Sequence, residues 1–200
     1  MLLLHNDQSI SMKKNQIRQK ILQKRNSLSS AQIQEKSRVI QGRFIKLVEY
    51  STARSVGAYY PIGSEVRTQD IIYDALENKK IVGLPKIDVS SKEEFEFYQI
   101  LDRYMKQDNL TTGIFGTKEP RSNTILNRID LIIVPGTVFD TTGFRLGYGK
   151  GLYDKFLAKN VSNFSIGLAF EVQLVDQELP RTTFDQRLNA LVTEKRTMHF

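Results

Sequence analysis

The 200-residue sequence contains no cysteine. That removes disulfides, thiolate nucleophiles, iron–sulfur clusters and the usual zinc sites together. Histidine is almost missing as well: His5 and His199 are the only two, each a few residues from a terminus, where chains are usually poorly ordered. A serine–histidine–aspartate triad or a multi-histidine metal site is thereby excluded from the expectation. No apolar run approaches bilayer-spanning length, and residues 1–4 are too short for a signal-peptide core and lack a basic segment before them. A cytoplasmic protein with no membrane partner is expected. Internal repeats and low-complexity tracts are also lacking, which leaves no argument for a solenoid or for independent domains.

What is left for chemistry is carboxylate, lysine, arginine, tyrosine, backbone amide, and hard cations such as magnesium that prefer oxygen ligands. Phosphate chemistry fits that inventory. The formal charge of +7 is unevenly placed: residues 1–54 hold 11 Lys and Arg against 3 Asp and Glu, and the remainder holds 18 against 19. Such a basic N-terminal third could track nucleic acid, attract a small polyanion, or form the solvated side of two helices.

Residues 1–12 show no periodicity, and Met12 offers a second start, so a flexible extension is expected there, followed by one domain over 13–200. Ile17 and Ile21 fall four apart among basic residues in 13–27, as on an amphipathic helix. Ser29 and Gln32 fit a capping box for a second helix running to about Tyr50, with Ile33, Ser37, Ile40, Phe44 and Leu47 along one stripe. The chain then alternates: strand at 55–60, helix at 68–78, strands at 81–84 and 94–100, irregular connection at 110–127 and strand at 131–134. Beyond these come helix at 153–159, strand at 164–169, a short helical turn at 171–174 and strand at 190–193. This rhythm predicts an α/β protein with a three-layer, open, mostly parallel sheet and helices on both faces, preceded by two N-terminal helices.

In such sheets ligands bind beyond the carboxyl ends of the strands, where a loop after 131–134 must lie. The segment GFRLGYGKGLYD at 143–154 follows that strand. Gly147, Gly149 and Gly151 alternate just before a helix start, a pattern whose unhindered amides suit an anion. Arg145 and Lys150 add charged donors. The spacing matches neither a Walker loop nor a dinucleotide fingerprint, and a bare glycine triplet is more often a structural turn than an anion site.

Context supplies more. The run IDLIIVPGTVFDTTGFRLGYGKGLYDKFL at 129–157 resembles the signature of the 5-formyltetrahydrofolate cyclo-ligase family. IGLAFEVQLVDQELPRTTFDQRLNALVTE at 166–194 is similar to that family's closing segment, and Lys14 with Arg18 and YYPIGSEVRT at 59–68 are further matches. The one departure in the loop is Leu152, where many members carry tyrosine.

The resemblance implies ATP- and magnesium-dependent conversion of 5-formyltetrahydrofolate, with or without a polyglutamate tail, to 5,10-methenyltetrahydrofolate with release of ADP and phosphate through a phosphorylated formyl intermediate. It also implies residue roles. Lys14, Asn15, Gln16, Ile17 and Arg18, together with Arg145, Leu146, Gly147, Tyr148, Gly149, Lys150, Gly151, Leu152 and Tyr153, match ATP-contacting positions. Tyr60, Glu65, Tyr148 and Tyr153 match folate-contacting positions, and Arg145, Lys150 and Tyr153 are the catalytic candidates. Asp154 and Asp185 match magnesium ligands, a structural salt bridge being the rival role for Asp185, and packing the rival for Tyr60 and Tyr153. A monomer with no nucleic-acid partner is expected. The rival functions are a basic nucleic-acid-binding α/β protein and a sugar-phosphate isomerase-like enzyme that uses no ATP.

Overall fold

The computed structural model describes residues 2–87, 94–100, 110–113, 116–159 and 164–200. Helix α1 runs over Leu2–Asn26, α2 over Ser30–Ile45 and α3 over Val48–Thr52. Helix α1 therefore begins eleven residues before the predicted Lys13, within the segment expected to be a loose extension. The reason is local: no glycine occurs before Gly42 and no proline before Pro61, so nothing interrupts helix propagation. The capping box forms as read, with the Gln32 amide donating to Ser29 Oγ at 3.2 Å and the Ser29 amide donating to Gln32 Oε1 at 2.8 Å. Helix α2 stops at Ile45, short of the predicted Tyr50, which belongs instead to the separate α3.

The remaining elements are β1 (Ser55–Gly57), α4 (Gln69–Glu77), β2 (Ile81–Ile87), β3 (Phe95–Gln99), β4 (Leu110–Thr112), β5 (Lys118–Pro120), β6 (Leu131–Val134), β7 (Val138–Asp140), β8 (Arg145–Leu146), α5 (Leu152–Lys159), β9 (Phe164–Leu168), β10 (Leu174–Val175), β11 (Ala190–Val192) and β12 (Thr197–His199). The segment 110–127, expected to be irregular, contains the antiparallel pair β4–β5.

Among the described residues the main sheet has seven strands in the order β12-β11-β9-β6-β1-β2-β3. Neighbours from β2 through β11 run parallel, and β3 and β12 close the two edges antiparallel. Period-two alternation sorts the central strand β6 between two cores. Leu131 and Ile133 face the cluster formed with Ile40, Phe44, Ile71 and Ile72 of α2 and α4. Ile132 and Val134 face the cluster with Phe95, Phe97, Phe156 and Leu157, the last two from α5. Each fully buried Leu or Ile in these layers stabilises the fold by roughly 1.5–3 kcal/mol. A second, three-stranded sheet, β10-β7-β8, was not predicted; its strands of two or three residues are too short to show periodicity.

Candidate functional site

The strand order reverses between β1 and β6, because β1 leads outward to β2 while β6 leads the other way to β9 and β11. At such a switch point the loops leaving two adjacent parallel strands turn to opposite sides and leave a crevice. A cleft of about 1320 Å³ opens there. One wall comes from the segment after β1, including Tyr59, Tyr60, Ile62 and Glu65, and another from Pro135 and the 145–154 loop. Helix α1 contributes Ile10, Ser11, Lys14, Asn15 and Arg18, and residues 181–185 complete the rim.

The glycine loop is aimed by the hairpin β7–β8. At its turn the buried Asp140 carboxylate accepts from the Thr142 amide (2.9 Å), the Thr142 hydroxyl (2.8 Å) and the Phe144 amide (3.0 Å) through one oxygen, and from the Leu179 amide (2.9 Å) through the other. Past the hairpin, Arg18 Nε donates to the Gly147 carbonyl at 2.6 Å and ties the loop to α1. Gly149 and Gly151 sit at φ +104° and +65°, a region costly for residues with a Cβ. Gly147 has no positive φ, so only two of the three loop glycines are required by conformation. Lys150 is exposed on the cleft wall, and α5 starts directly after Gly151.

Two carboxylates face this loop. Arg145 Nη1 lies 3.2 Å from Asp154 Oδ1 and also donates to the Gln186 carbonyl at 3.2 Å, while the Gln186 amide donates to the same Asp154 oxygen at 2.9 Å. The Arg145 side chain is only 2% exposed. Burial lowers its pKa, and the nearby Asp154, Tyr153 and Asp185 push it back up. Asp185 pairs with Lys14 Nζ at 2.5 Å and accepts from the Thr182 amide at 2.6 Å and hydroxyl at 3.1 Å. Desolvation raises the Asp185 carboxyl, but the bonds from Lys14 and Thr182 outweigh it and hold the carboxyl below the ordinary aspartate range. Asp154 and Asp185 could together hold a hard cation, since magnesium is commonly bound through one or two carboxylates plus substrate phosphates.

At the other end lies Glu65, 5% exposed. Its Oε2 accepts from the Ile62 amide at 2.8 Å and its Oε1 from the Tyr148 hydroxyl at 3.0 Å. Desolvation raises its pKa; the Ile62 bond, the Arg25 charge and the Tyr148 bond counter that in part. A carboxylate has about four lone-pair sites, so each oxygen keeps acceptor capacity. Tyr59 is buried, with its hydroxyl donating to the Val66 carbonyl at 3.0 Å, and burial pushes its pKa well up. Tyr153 packs against Phe95 at 4.8 Å between ring centroids, and its buried hydroxyl has no hydrogen-bond partner among the described residues.

The structure brings most of the sequence-predicted residues to this one cleft. Tyr60, Glu65, Lys14, Asn15, Arg18, the run 145–153, Asp154 and Asp185 all line it. Gln16 and Ile17 do not; they turn to a shallow groove beside 177–180, as residues one and two positions from Arg18 must on a helix. Leu152, the departure from the family pattern, packs against the α5 core. Asp185 is engaged in the salt bridge that was its rival reading, though it still faces the cleft. Sequence reasoning missed Asp140, Arg25 and Gln173. Gln173 is buried and donates to the Gly136 and Thr137 carbonyls at 2.9 and 3.0 Å, fixing the turn after β6. Its only sequence signal was its place in the 166–194 block.

Residues 10–194 match the family described as the 5-formyltetrahydrofolate cyclo-ligase family. A probable 5-formyltetrahydrofolate cyclo-ligase of Schizosaccharomyces pombe is 32% identical, the match covering 94% of this chain and 98% of the relative. The 5-formyltetrahydrofolate cyclo-ligase of Haemophilus influenzae is 29% identical over 88% of this chain and 94% of its own. Among solved structures, the 5,10-methenyltetrahydrofolate synthetase of Aquifex aeolicus superposes with a TM-score of 0.80 at 33% identity, covering 93% of this chain and 92% of the other. The fold is thus shared along nearly the whole length, and the chain belongs to the 5-formyltetrahydrofolate cyclo-ligase family of enzymes.

Proposed function

We propose that this chain cyclises 5-formyltetrahydrofolate to 5,10-methenyltetrahydrofolate at the expense of ATP, releasing ADP and phosphate. The observation that carries the reading is that one cleft joins a glycine loop flanked by lysine and arginine to a buried carboxylate with acceptor capacity left on both oxygens. The first end suits the phosphates of a nucleotide. The second suits the two-donor edge of an aminopyrimidine such as a pterin carries.

The chemical obstacle is that a formamide oxygen is a poor leaving group. In the proposed sequence the formyl oxygen attacks the terminal phosphorus of ATP and ADP departs. The folate's neighbouring nitrogen 10 then attacks the formyl carbon, phosphate leaves with the former formyl oxygen, and loss of the nitrogen-bound proton gives the methenyl ring. Catalysis of such transfer rests on alignment and charge neutralisation more than on a strong base. Lys150, Lys14 and the loop amides are assigned to the phosphates. Arg145, buried and bonded to Asp154 and the Gln186 carbonyl, is assigned to orienting that carboxylate beside them. Magnesium would be held by Asp154 and Asp185, and when bound it supplies charge neutralisation to the phosphate oxygens. The unpartnered Tyr153 hydroxyl is assigned to donate to the bound folate, since a buried hydroxyl is costly to leave unbonded.

The test is to mix protein, magnesium, ATP and 5-formyltetrahydrofolate and follow the methenyl chromophore. Product dependent on both ATP and magnesium is expected. A folded, magnesium-supplemented sample that yields none sinks the reading, and product formed without ATP overturns the mechanism.

A further inference from the structure

Arg25 is a guanidinium in the last turn of α1, and it is only 2% exposed. A buried arginine is expensive unless its donors are used. Here they reach three separate segments: Nε donates to Ser64 Oγ at 3.0 Å, Nη1 to the Gly136 carbonyl at 3.4 Å, and Nη2 to the Tyr148 hydroxyl at 2.9 Å. Those partners belong to the turn before Glu65, the turn after β6 and the glycine loop. The Tyr148 hydroxyl in turn donates a hydrogen bond to Glu65 Oε1 at 3.0 Å, so a continuous chain of donors runs from Arg25 through Tyr148 to Glu65. The guanidinium carbon also lies 5.9 Å from the Tyr148 ring centroid. Tyr148 itself is 55% exposed, so its ring is held by these end contacts and not by core packing.

We infer that Arg25 is a positioning residue for folate recognition: through Tyr148 it fixes the orientation of Glu65 and pins the tip of the glycine loop beside it. The inference rests on the folate reading above and adds a residue that does not line the cleft. Its positive charge also opposes the burial that otherwise favours a protonated Glu65, keeping the acceptor form available. The planar fork matters, because one guanidinium spans three directions that a lysine ammonium on a single stem does not reproduce.

The experiment uses the full chain and compares Arg25→Gln, Arg25→Lys, Tyr148→Phe and the double variant Arg25→Gln/Tyr148→Phe, with thermal midpoints recorded alongside steady-state methenyl formation. Loss of a charge-assisted contact to Glu65 is expected to raise KM for 5-formyltetrahydrofolate by roughly ten- to a hundredfold, with a smaller change in KM for ATP. Arg25→Lys is expected to recover only part of the loss. The double variant is expected to be little worse than the worse single one, since both break the same link. Tyr148→Phe keeps the ring and is the test if Arg25→Gln does not fold. Unchanged folate KM in a folded Arg25→Gln or in Tyr148→Phe overturns the inference, as do single effects that multiply in the double variant. Wild-type protein without turnover removes the folate reading and this inference with it, whereas active wild type with unaffected variants removes the inference alone.

Discussion

The two ends of the cleft handle charge in opposite ways. At the loop end both carboxylates already touch cations: Asp154 is paired with Arg145 and Asp185 with Lys14. At the far end Glu65 forms no direct ion pair among the described residues and reaches Arg25 only through the Tyr148 phenol. On the proposed function, incoming phosphates and a divalent cation would compete for these pre-formed pairs at the first end. The second is preset, with a desolvated carboxylate held in place by neutral donors.

The largest expected effect probes the loop end. Arg145→Ala removes the partner of Asp154, which is 21% exposed and keeps the Gln186 amide, and a loss of about 1–3 kcal/mol of stability is expected from the lost charge-assisted bonds, read by denaturant unfolding. A loss well under 1 kcal/mol would show that Asp154 does not depend on its counterion. Next comes a crossed pair of kinetic effects. Lys150→Ala is expected to raise KM for ATP by roughly tenfold while leaving that for folate within about twofold, and Glu65→Ala to do the reverse. Equal effects on both substrates would erase the distinction between the two ends.

A smaller effect follows from the direction of the Glu65 shift. Burial raises its pKa in the folded chain, so on acidification Glu65 takes up its proton earlier than an ordinary glutamate. Folate KM should therefore rise at a pH above the ordinary glutamate range. The folded state binds that proton more tightly than the unfolded one, so this group's contribution to stability is greatest at low pH and is lost as pH rises through the raised pKa. Affinity and stability should thus move in opposite directions through that window, and Glu65→Gln should abolish both trends. The smallest effect is a control: Ser29→Ala should cost about 1 kcal/mol through loss of the α2 cap, with both KM values unchanged. A kinetic effect there would mean that neither end of the cleft is insulated from distant helix stability.

Signals confined to a few neighbouring residues were the readable ones. Four consecutive apolar residues ended by Pro135-Gly136 located β6 to the residue, and Ser29 with Gln32 located the start of α2. The glycine loop was visible because alternating glycines beside Arg145 and Lys150 stand out without knowledge of the fold. Arg25 was invisible because its partners lie 39, 111 and 123 positions away, and among so many basic residues in α1 nothing local marks the buried one. The switch point itself depends on strand order, which alternation of elements does not determine. The start of α1 was misplaced for a different reason: periodicity reports a buried face, whereas helix propagation needs only the absence of a breaker.

Asp140 has a practical consequence for anyone moving this loop to another scaffold. Its carboxylate fastens the β7–β8 turn on one side and the backbone at Leu179 on the other, so the segment carrying Arg145 and Lys150 and the segment leading to Asp185 share an anchor that lies outside the glycine loop. A graft cut at Gly143 would carry the phosphate-type amides and leave their hinge pin behind. The smallest transplantable unit starts at β7 and brings the 179–186 segment along as a second piece.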